Sequence, residues 1–254
     1  MLADNYITMT DTQYCPFRDH CENSETDVCK WDCPRCDGFN YMMCTSNLPK
    51  KLKRRQNLNF DFVQNSNARN YLYYSITHME DFVNTGQQVL LYGMPGVGKT
   101  CWAVKMLANY FALVSMHKHP GKFIRGLFIN VPDLFVKLKY NMNKHNEDFD
   151  DLIAHISTVP LVVWDDIFQT DPTSYESQCL YSYINERQNN ELANIFTSNS
   201  TPDEIRMFDF RLHSRICTGA DCIEIQSTDN RMNRVGFKQL AEEYFKDSDN
   251  NMTE

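Results

Sequence analysis

The chain has 254 residues, 42% of them hydrophobic and 23% charged, with a formal net charge of −8. That length suits one medium domain with a small appendage, or two small domains, and the apolar content suffices for one good core. The acidic balance excludes a surface that engages duplex DNA all over, so any nucleic-acid contact is local or shared between subunits. No apolar run approaches the roughly 20 residues that span a bilayer. The start, MLADNYITMTDTQ, lacks the charged and apolar stretches of a secretory signal, so a soluble cytoplasmic protein without membrane contact is expected.

Residues 1 to about 48 are polar, poor in periodic pattern and rich in cysteine. Cys15, Cys21, Cys29, Cys33, Cys36 and Cys44 crowd this stretch, and only Cys101, Cys179, Cys217 and Cys222 follow. A stretch of this kind builds no core without a staple, and in a reducing compartment a metal is the expected one. A basic run follows (Lys50, Lys51, Lys53, Arg54, Arg55), then an Asn-rich stretch to Asn70. The expected division is a cysteine-rich, partner-binding module with linker over 1–60 and a larger domain over 61–254. The apolar spacing predicts one helix over 68–84, closed by Gly86.

From there strands and helices alternate. Strands are expected at Val89–Tyr92, Gly126–Val131, Pro160–Trp164, Ala193–Thr197 and Ile223–Ile225. Helices are expected from Thr100 to about Met116, after Pro132, over Asp148–Ile156 and Tyr175–Asn189, from Pro202 to near Met207, and over Arg234–Phe245. This alternation implies an α/β fold with a parallel sheet flanked by helices.

The strongest motif is LLYGMPGVGKT, which satisfies G-x-x-x-x-G-K-T through Gly93, Gly98, Lys99 and Thr100. Glycines let the backbone turn its N–H groups toward phosphate oxygens, and the next helix presents its positive end to the same anion. The nucleotide-holding stretch runs from Gly93 through Pro95, Gly96, Val97 and Gly98 to Lys99, Thr100 and Cys101. Lys99 supplies a point charge to the β and γ phosphates of ATP, and the Thr100 hydroxyl coordinates Mg²⁺. PLVVWDDIF is an apolar strand ending in two acids at the carboxyl edge of the sheet, where open α/β folds bind ligands. There Asp165 holds Mg²⁺, commonly through water, and Asp166 acts as general base on the attacking water. In NIFTSNS, Asn199 ends a strand beside the γ-phosphate and positions water. In RLHSRI, Arg211 and Arg215 lie four apart on one helix face. Arg215 is the candidate arginine finger, reaching a neighbour's γ-phosphate in a side-by-side assembly. The alternative is a solvated basic face. Arg231 and Arg234 are candidates for a second arginine sensor.

Cys33-Pro-Arg-Cys36 is a C-x-x-C pair of the spacing that places two thiolates on tetrahedral Zn²⁺. The other ligands are to be found among Cys15, Cys21, Cys29 and Cys44, with His20 less suited. Cys21 and Cys29 are favoured, and free thiols or a redox pair are the alternative. The later cysteines, and Phe128, Phe135 and Tyr140, read as core residues, with a strand-binding surface as the second option for the three aromatics.

Taken together, the GMPGVGKT loop, the WDDIF double acid and the run YSYINERQNNELANIFTSN followed by RLHSRI resemble the AAA+ ATPases of the DnaC, DnaI and IstB group, over about residues 65–235. The cysteine module is similar in placement to the zinc-binding, helicase-contacting domain of DnaI-type loaders. The resemblance implies an AAA+ fold with a reduced or absent lid, since little chain follows residue 235. It also implies a DNA-replication ATPase that loads a DnaB-type replicative helicase, binds single-stranded DNA and self-associates through the AAA+ domain, in a bacterial cell or a phage system. Transferred to this sequence, Lys99 and Thr100 bind nucleotide and Mg²⁺, Asp165 binds Mg²⁺, Asp166 activates water, Asn199 senses the γ-phosphate and Arg215 acts in trans. An IstB-type transposition helper and a non-hydrolysing adaptor are the alternatives.

Overall fold

The computed structural model describes residues 34–53, 58, 60–117, 123–143, 146–169 and 171–227. In chain order they form α1 (Pro34–Thr45), α2 (Lys50–Lys53), a 3₁₀ turn (Phe60–Phe62), α3 (Ser66–Thr77), α4 (Met79–Asn84), β1 (Gln88–Tyr92), α5 (Lys99–His117), β2 (Gly126–Asn130), α6 (Val131–Asn143), α7 (Glu147–Ile156), β3 (Leu161–Ile167), α8 (Ser174–Asn189), β4 (Ala193–Ser198), α9 (Pro202–Phe208), α10 (Phe210–Ile216) and β5 (Asp221–Glu224). The five strands make one parallel sheet in the order β2-β3-β4-β1-β5. Every strand of a parallel sheet runs the same way, so all carboxyl ends meet at one edge, where the functional motifs lie.

Side chains alternate across the sheet with a period of two, and both faces are covered. Val89, Leu91, Leu161, Val163 and Ile195 pack under α1, α3, α4 and α5. Leu90, Val162, Trp164 and Phe196 face the opposite layer of α6, α7, α8, α9 and α10. The strands therefore read as continuous apolar runs. Among the described residues no helix is long and apolar enough to cross a membrane.

Three features depart from expectation. The helix expected over 68–84 is two helices, because the backbone leaves helical geometry at His78 (φ −119°, ψ 33°) and the His78 ring stacks on Tyr74 at 4.1 Å. The strand expected to end at Trp164 continues through both aspartates to Ile167. Met42, Met43 and Leu48, in the stretch read as an appendage, belong to the core over α5. The segment after α1 also covers the open edge of the sheet: the Phe128 N–H donates to the Ser46 carbonyl at 2.8 Å, and the Asn47 amide donates to the Phe128 carbonyl at 3.0 Å. An edge strand left bare would invite pairing with another chain. The helix expected over Arg234–Phe245 lies outside the described residues.

At the amino end of the sheet, Arg187 is fully buried. Its guanidinium donates to the carbonyls of Ile156 (2.6 Å), Val159 (2.9 Å) and Ala193 (2.6 Å) and to Asn194 Oδ1 (2.7 Å). Burial pushes its pKa down to about 9, so it remains a cation at neutral pH. One side chain thereby joins α7, α8, the turn before β3 and β4. Replacing Arg187 with Met strands several buried acceptors. At ~1–3 kcal/mol for each unsatisfied group, the expected loss is about 3 kcal/mol or more. Thermal denaturation followed by circular dichroism should show a midpoint lower by roughly 6–12 °C.

Gly86 illustrates a close approach. It turns at φ +62°, and a Cβ there would lie 2.4 Å from the Glu191 carbonyl oxygen, so the α4–β1 turn passes the α8–β4 turn only with glycine. Gly86→Ala is expected to lower the midpoint as well, in the same measurement.

Candidate functional site

The apolar strand β1 ends at Tyr92, and the loop that follows uses φ values open to glycine: 139° at Gly93, 89° at Gly96 and 96° at Gly98. Space also matters at Gly93, where a Cβ would stand 2.6 Å from the Ile225 carbonyl oxygen. Ile225 continues β5 beside the loop, its N–H donating to the Tyr92 carbonyl at 2.7 Å. Lys99 opens α5 and is only 5% exposed. Its Nζ donates to the carbonyls of Gly93 (2.8 Å) and Met94 (2.9 Å) and to Asn199 Oδ1 (2.8 Å). The lysine thus holds its own loop curled and joins it to the residue that follows β4.

The acidic pair sits in a bulge. The pairing of β3 with β4 shifts register between Trp164 and Ile167, and Asp166 (φ 57°) and Phe168 (φ 61°) both take left-handed backbone. Thr197 fills the gap. Its hydroxyl donates to Asp165 Oδ1 at 2.8 Å and accepts the Asp166 N–H at 3.0 Å. Thr100 Oγ1 donates to the same Asp165 oxygen at 2.7 Å. Ser198 Oγ donates to the Ile167 carbonyl at 2.9 Å, replacing a ladder bond lost at the bulge. Asp165 is buried, and Asp166 is half-buried one position on.

Lys99, Thr100, Asp165 and Asn199, expected to converge, form two hydrogen-bonded pairs at one sheet edge, Lys99 with Asn199 and Thr100 with Asp165. Thr197 is a site residue that sequence reasoning missed; its signal was its place two residues before Asn199 on the strand beside the acidic pair. Neither arginine of RLHSRI enters these bonds. Arg211 and Arg215 instead place their guanidinium carbons 5.8 and 5.7 Å from the ring centre of Tyr181.

Other sequence readings divide. Phe128 and Phe135 are core residues as expected, while Tyr140 is exposed on α6. Cys101, Cys179, Cys217 and Cys222 are half-buried rather than core. Cys36 falls in the first turn of α1, and Cys44 near its end, both half-buried. Cys15, His20, Cys21, Cys29, Cys33, Arg231 and Arg234 lie outside the described residues. Among the described residues, no group of three or more His, Cys, Asp or Glu side chains is placed to hold a metal.

The residues present fit a nucleoside triphosphate with a divalent cation. The loop's glycines leave no side chain between its backbone and an anion, and α5 begins at the loop with its positive end. Thr100 Oγ1 and Asp165 Oδ1, 2.7 Å apart, are hard oxygen donors. Neighbouring ligands of an octahedral Mg²⁺ lie about 2.9 Å apart at its ordinary bond lengths, close to that separation.

Comparison with known proteins places the chain. No curated protein matches it in sequence. Among solved structures, the DnaC helicase loader is similar at 22% identity with a TM-score of 0.54, over 70% of this chain and 100% of that one. DnaI is similar at 22% identity and 0.56, over 72% and 94%. The replication initiator DnaA, solved with AMPPCP and single-stranded DNA, is similar at 17% identity and 0.51, over 74% and 53%. A family model described as IstB-like ATP binding protein matches residues 38–209. The chain therefore belongs to the IstB-like ATP binding proteins, with the P-loop AAA+ fold of the DnaC, DnaI and IstB group.

Proposed function

We propose that the protein is an Mg²⁺-dependent ATPase that loads a DnaB-type replicative helicase onto single-stranded DNA and works as a self-associated assembly. The observation that carries the ATPase reading is the junction of Lys99, Thr100, Asp165, Thr197 and Asn199 at one sheet edge, with Asp166 beside it. The bound ATP supplies the phosphoanhydride that is cleaved, with Mg²⁺ neutralising its oxygens. On this reading Lys99 leaves its loop carbonyls for the β and γ phosphates. Thr100 and Asp165 hold the cation. Asp166 takes a proton from water, and Asn199 orients that water near the γ-phosphate. The positive φ of Asp166 turns its carboxylate away from the path of a regular strand, separating its role from that of Asp165.

The loader reading is supported by the likeness to DnaC and DnaI, and the DNA partner by the likeness to a DnaA bound to single-stranded DNA. A cytoplasmic place of work follows from those partners. The match to an IstB-like model favours a second reading, a transposition helper that binds duplex DNA. For the region before α1 together with the first turn of α1 we propose a zinc-holding, helicase-contacting module with Cys33, Cys36, Cys21 and Cys29 as ligands.

Phosphate release decides the chemistry. Lys99→Ala and Asp166→Ala should each lower turnover by about 10²-fold or more. Wild-type turnover indistinguishable from both variants would leave only a nucleotide-dependent adaptor. Affinity capture with a hexameric DnaB-type helicase, in a slowly hydrolysed ATP analogue, should retain the full chain. Failure to retain it, with tight duplex binding instead, would establish the transposition reading. Metal analysis should give about one zinc per chain, lost on replacing Cys33 and Cys36 with Ser; a metal-free wild type removes the zinc module.

A further inference from the structure

We propose that Tyr181 is the positioning residue for Arg215, holding its guanidinium ready for the γ-phosphate of a neighbouring copy's nucleotide; this rests on the ATPase assembly proposed above. Tyr181 stands on α8 and is half-buried, and α10 packs against that helix. The guanidinium carbon of Arg215 lies 5.7 Å from the ring centre, and its Nη2 donates to the Tyr181 hydroxyl at 3.4 Å. Arg211 shares the same ring at 5.8 Å. Two cations four residues apart on a short helix repel, and the negative face of one aromatic ring gives both a common anchor.

The two arginines differ in their remaining partners. Arg211 is paired with Asp209, Nη2 to Oδ2 at 3.4 Å. Among the described residues, Arg215 has no carboxylate within ion-pair distance, so its charge is left for an anion from elsewhere. Its backbone is fixed as well as its side chain. Gln188 Nε2, one face along α8, donates to the Arg215 carbonyl and to Gln88 Oε1 at 2.8 Å at the start of β1. The hydrogen bonds of the chain's own nucleotide site close on Lys99, Thr100, Asp165, Thr197 and Asn199 without either arginine. A planar cation anchored by a ring and its hydroxyl has N–H donors besides the one that the hydroxyl takes, and less freedom is lost when they meet phosphate oxygens.

Because Arg215 meets charge that develops in the neighbour's transition state, loosening it lowers kcat and leaves KM for ATP alone. The test uses the full chain at a concentration where wild-type specific activity no longer rises. Tyr181→Leu should lower kcat by about tenfold or more, as a fraction of what a complete arginine finger contributes, with KM within about twofold. Tyr181→Phe keeps the ring and should restore turnover to within about threefold of wild type. An equimolar mixture of Tyr181→Leu with Lys99→Ala should regain activity that neither has alone. Half of the mixed interfaces pair a sound P-loop from the first with a sound arginine from the second. A fold defect in Tyr181→Leu would instead raise KM and leave the mixture dead. Arg215→Ala separates the two claims. If Arg215→Ala is impaired and Tyr181→Leu is not, the role of Tyr181 is overturned and the assembly reading stands. If Arg215→Ala turns over like wild type, the reading in trans falls and takes this inference with it.

Discussion

A single oxygen, Oδ1 of Asp165, is the constraint on which the site depends. It accepts hydroxyls from Thr100, at the start of α5, and from Thr197, on β4. Those two bonds tie the phosphate-loop helix, β3 and β4 to one point. A carboxylate buried in this way is costly unless its oxygens find donors, and two hydroxyls meet the lone pairs of Oδ1. The arrangement stays adaptable. Hydroxyls rotate, so on the proposed reading a divalent cation held by Thr100 and Asp165 would displace only the hydrogen bond between them, leaving the one from Thr197 to Asp165.

The opposite end of the sheet solves a different problem. Where the carboxyl edge gathers exchangeable hydrogen bonds, the amino end is closed by Arg187, a cation whose partners are three carbonyls and an amide oxygen. Asn194 Oδ1 accepts the Trp164 indole as well, at 3.0 Å, so the clamp reaches under the strand that carries the acidic pair. Trp164 immediately precedes Asp165. A side chain fixed from below and a carboxylate fixed from above leave the bulge between them as the place where β3 can deviate, and the positive φ of Asp166 falls there. Rigidity at one end of the sheet thus positions chemistry at the other.

Most of this was legible in the sequence where the signal was periodic or punctuated. Apolar runs bounded by Gly, Pro and polar residues located all five strands, and Gly93, Gly96, Gly98, Lys99 and Thr100 located the loop. Contacts distant in sequence were not legible. Nothing near Arg187 marks it as buried, because its acceptors lie about thirty residues upstream, at Ile156 and Val159, or just past the next turn, at Ala193 and Asn194. Thr197 reads as an ordinary strand residue until β3 is laid beside β4. Local pattern also misjudged length at Trp164, since a bulge held by Thr197 and Ser198 lets the strand continue through charged residues that ordinarily end one. His78 broke a helix whose apolar spacing ran on without interruption, for spacing registers which face is buried and not whether the backbone turns.

The electrostatics of the chain bear on the proposed need for a second copy. Its formal charge of −8 sets a general repulsion against polyanions and against itself. Cations useful for phosphate must therefore be held where they act. Lys99 is held by its own loop and by Asn199, and serves the nucleotide bound to its own chain. Arg215 is held on Tyr181, on a helix bonded to α8, outside the hydrogen bonds of that site. Among the described residues, the hydrogen bonds of that site include no arginine, so on the proposed reading a cation for the charge on a transferring phosphoryl group would come from elsewhere. On the proposed reading a neighbour presenting its α10 would supply that charge only when the copies stand side by side, and turnover that depended on such a contact would report assembly.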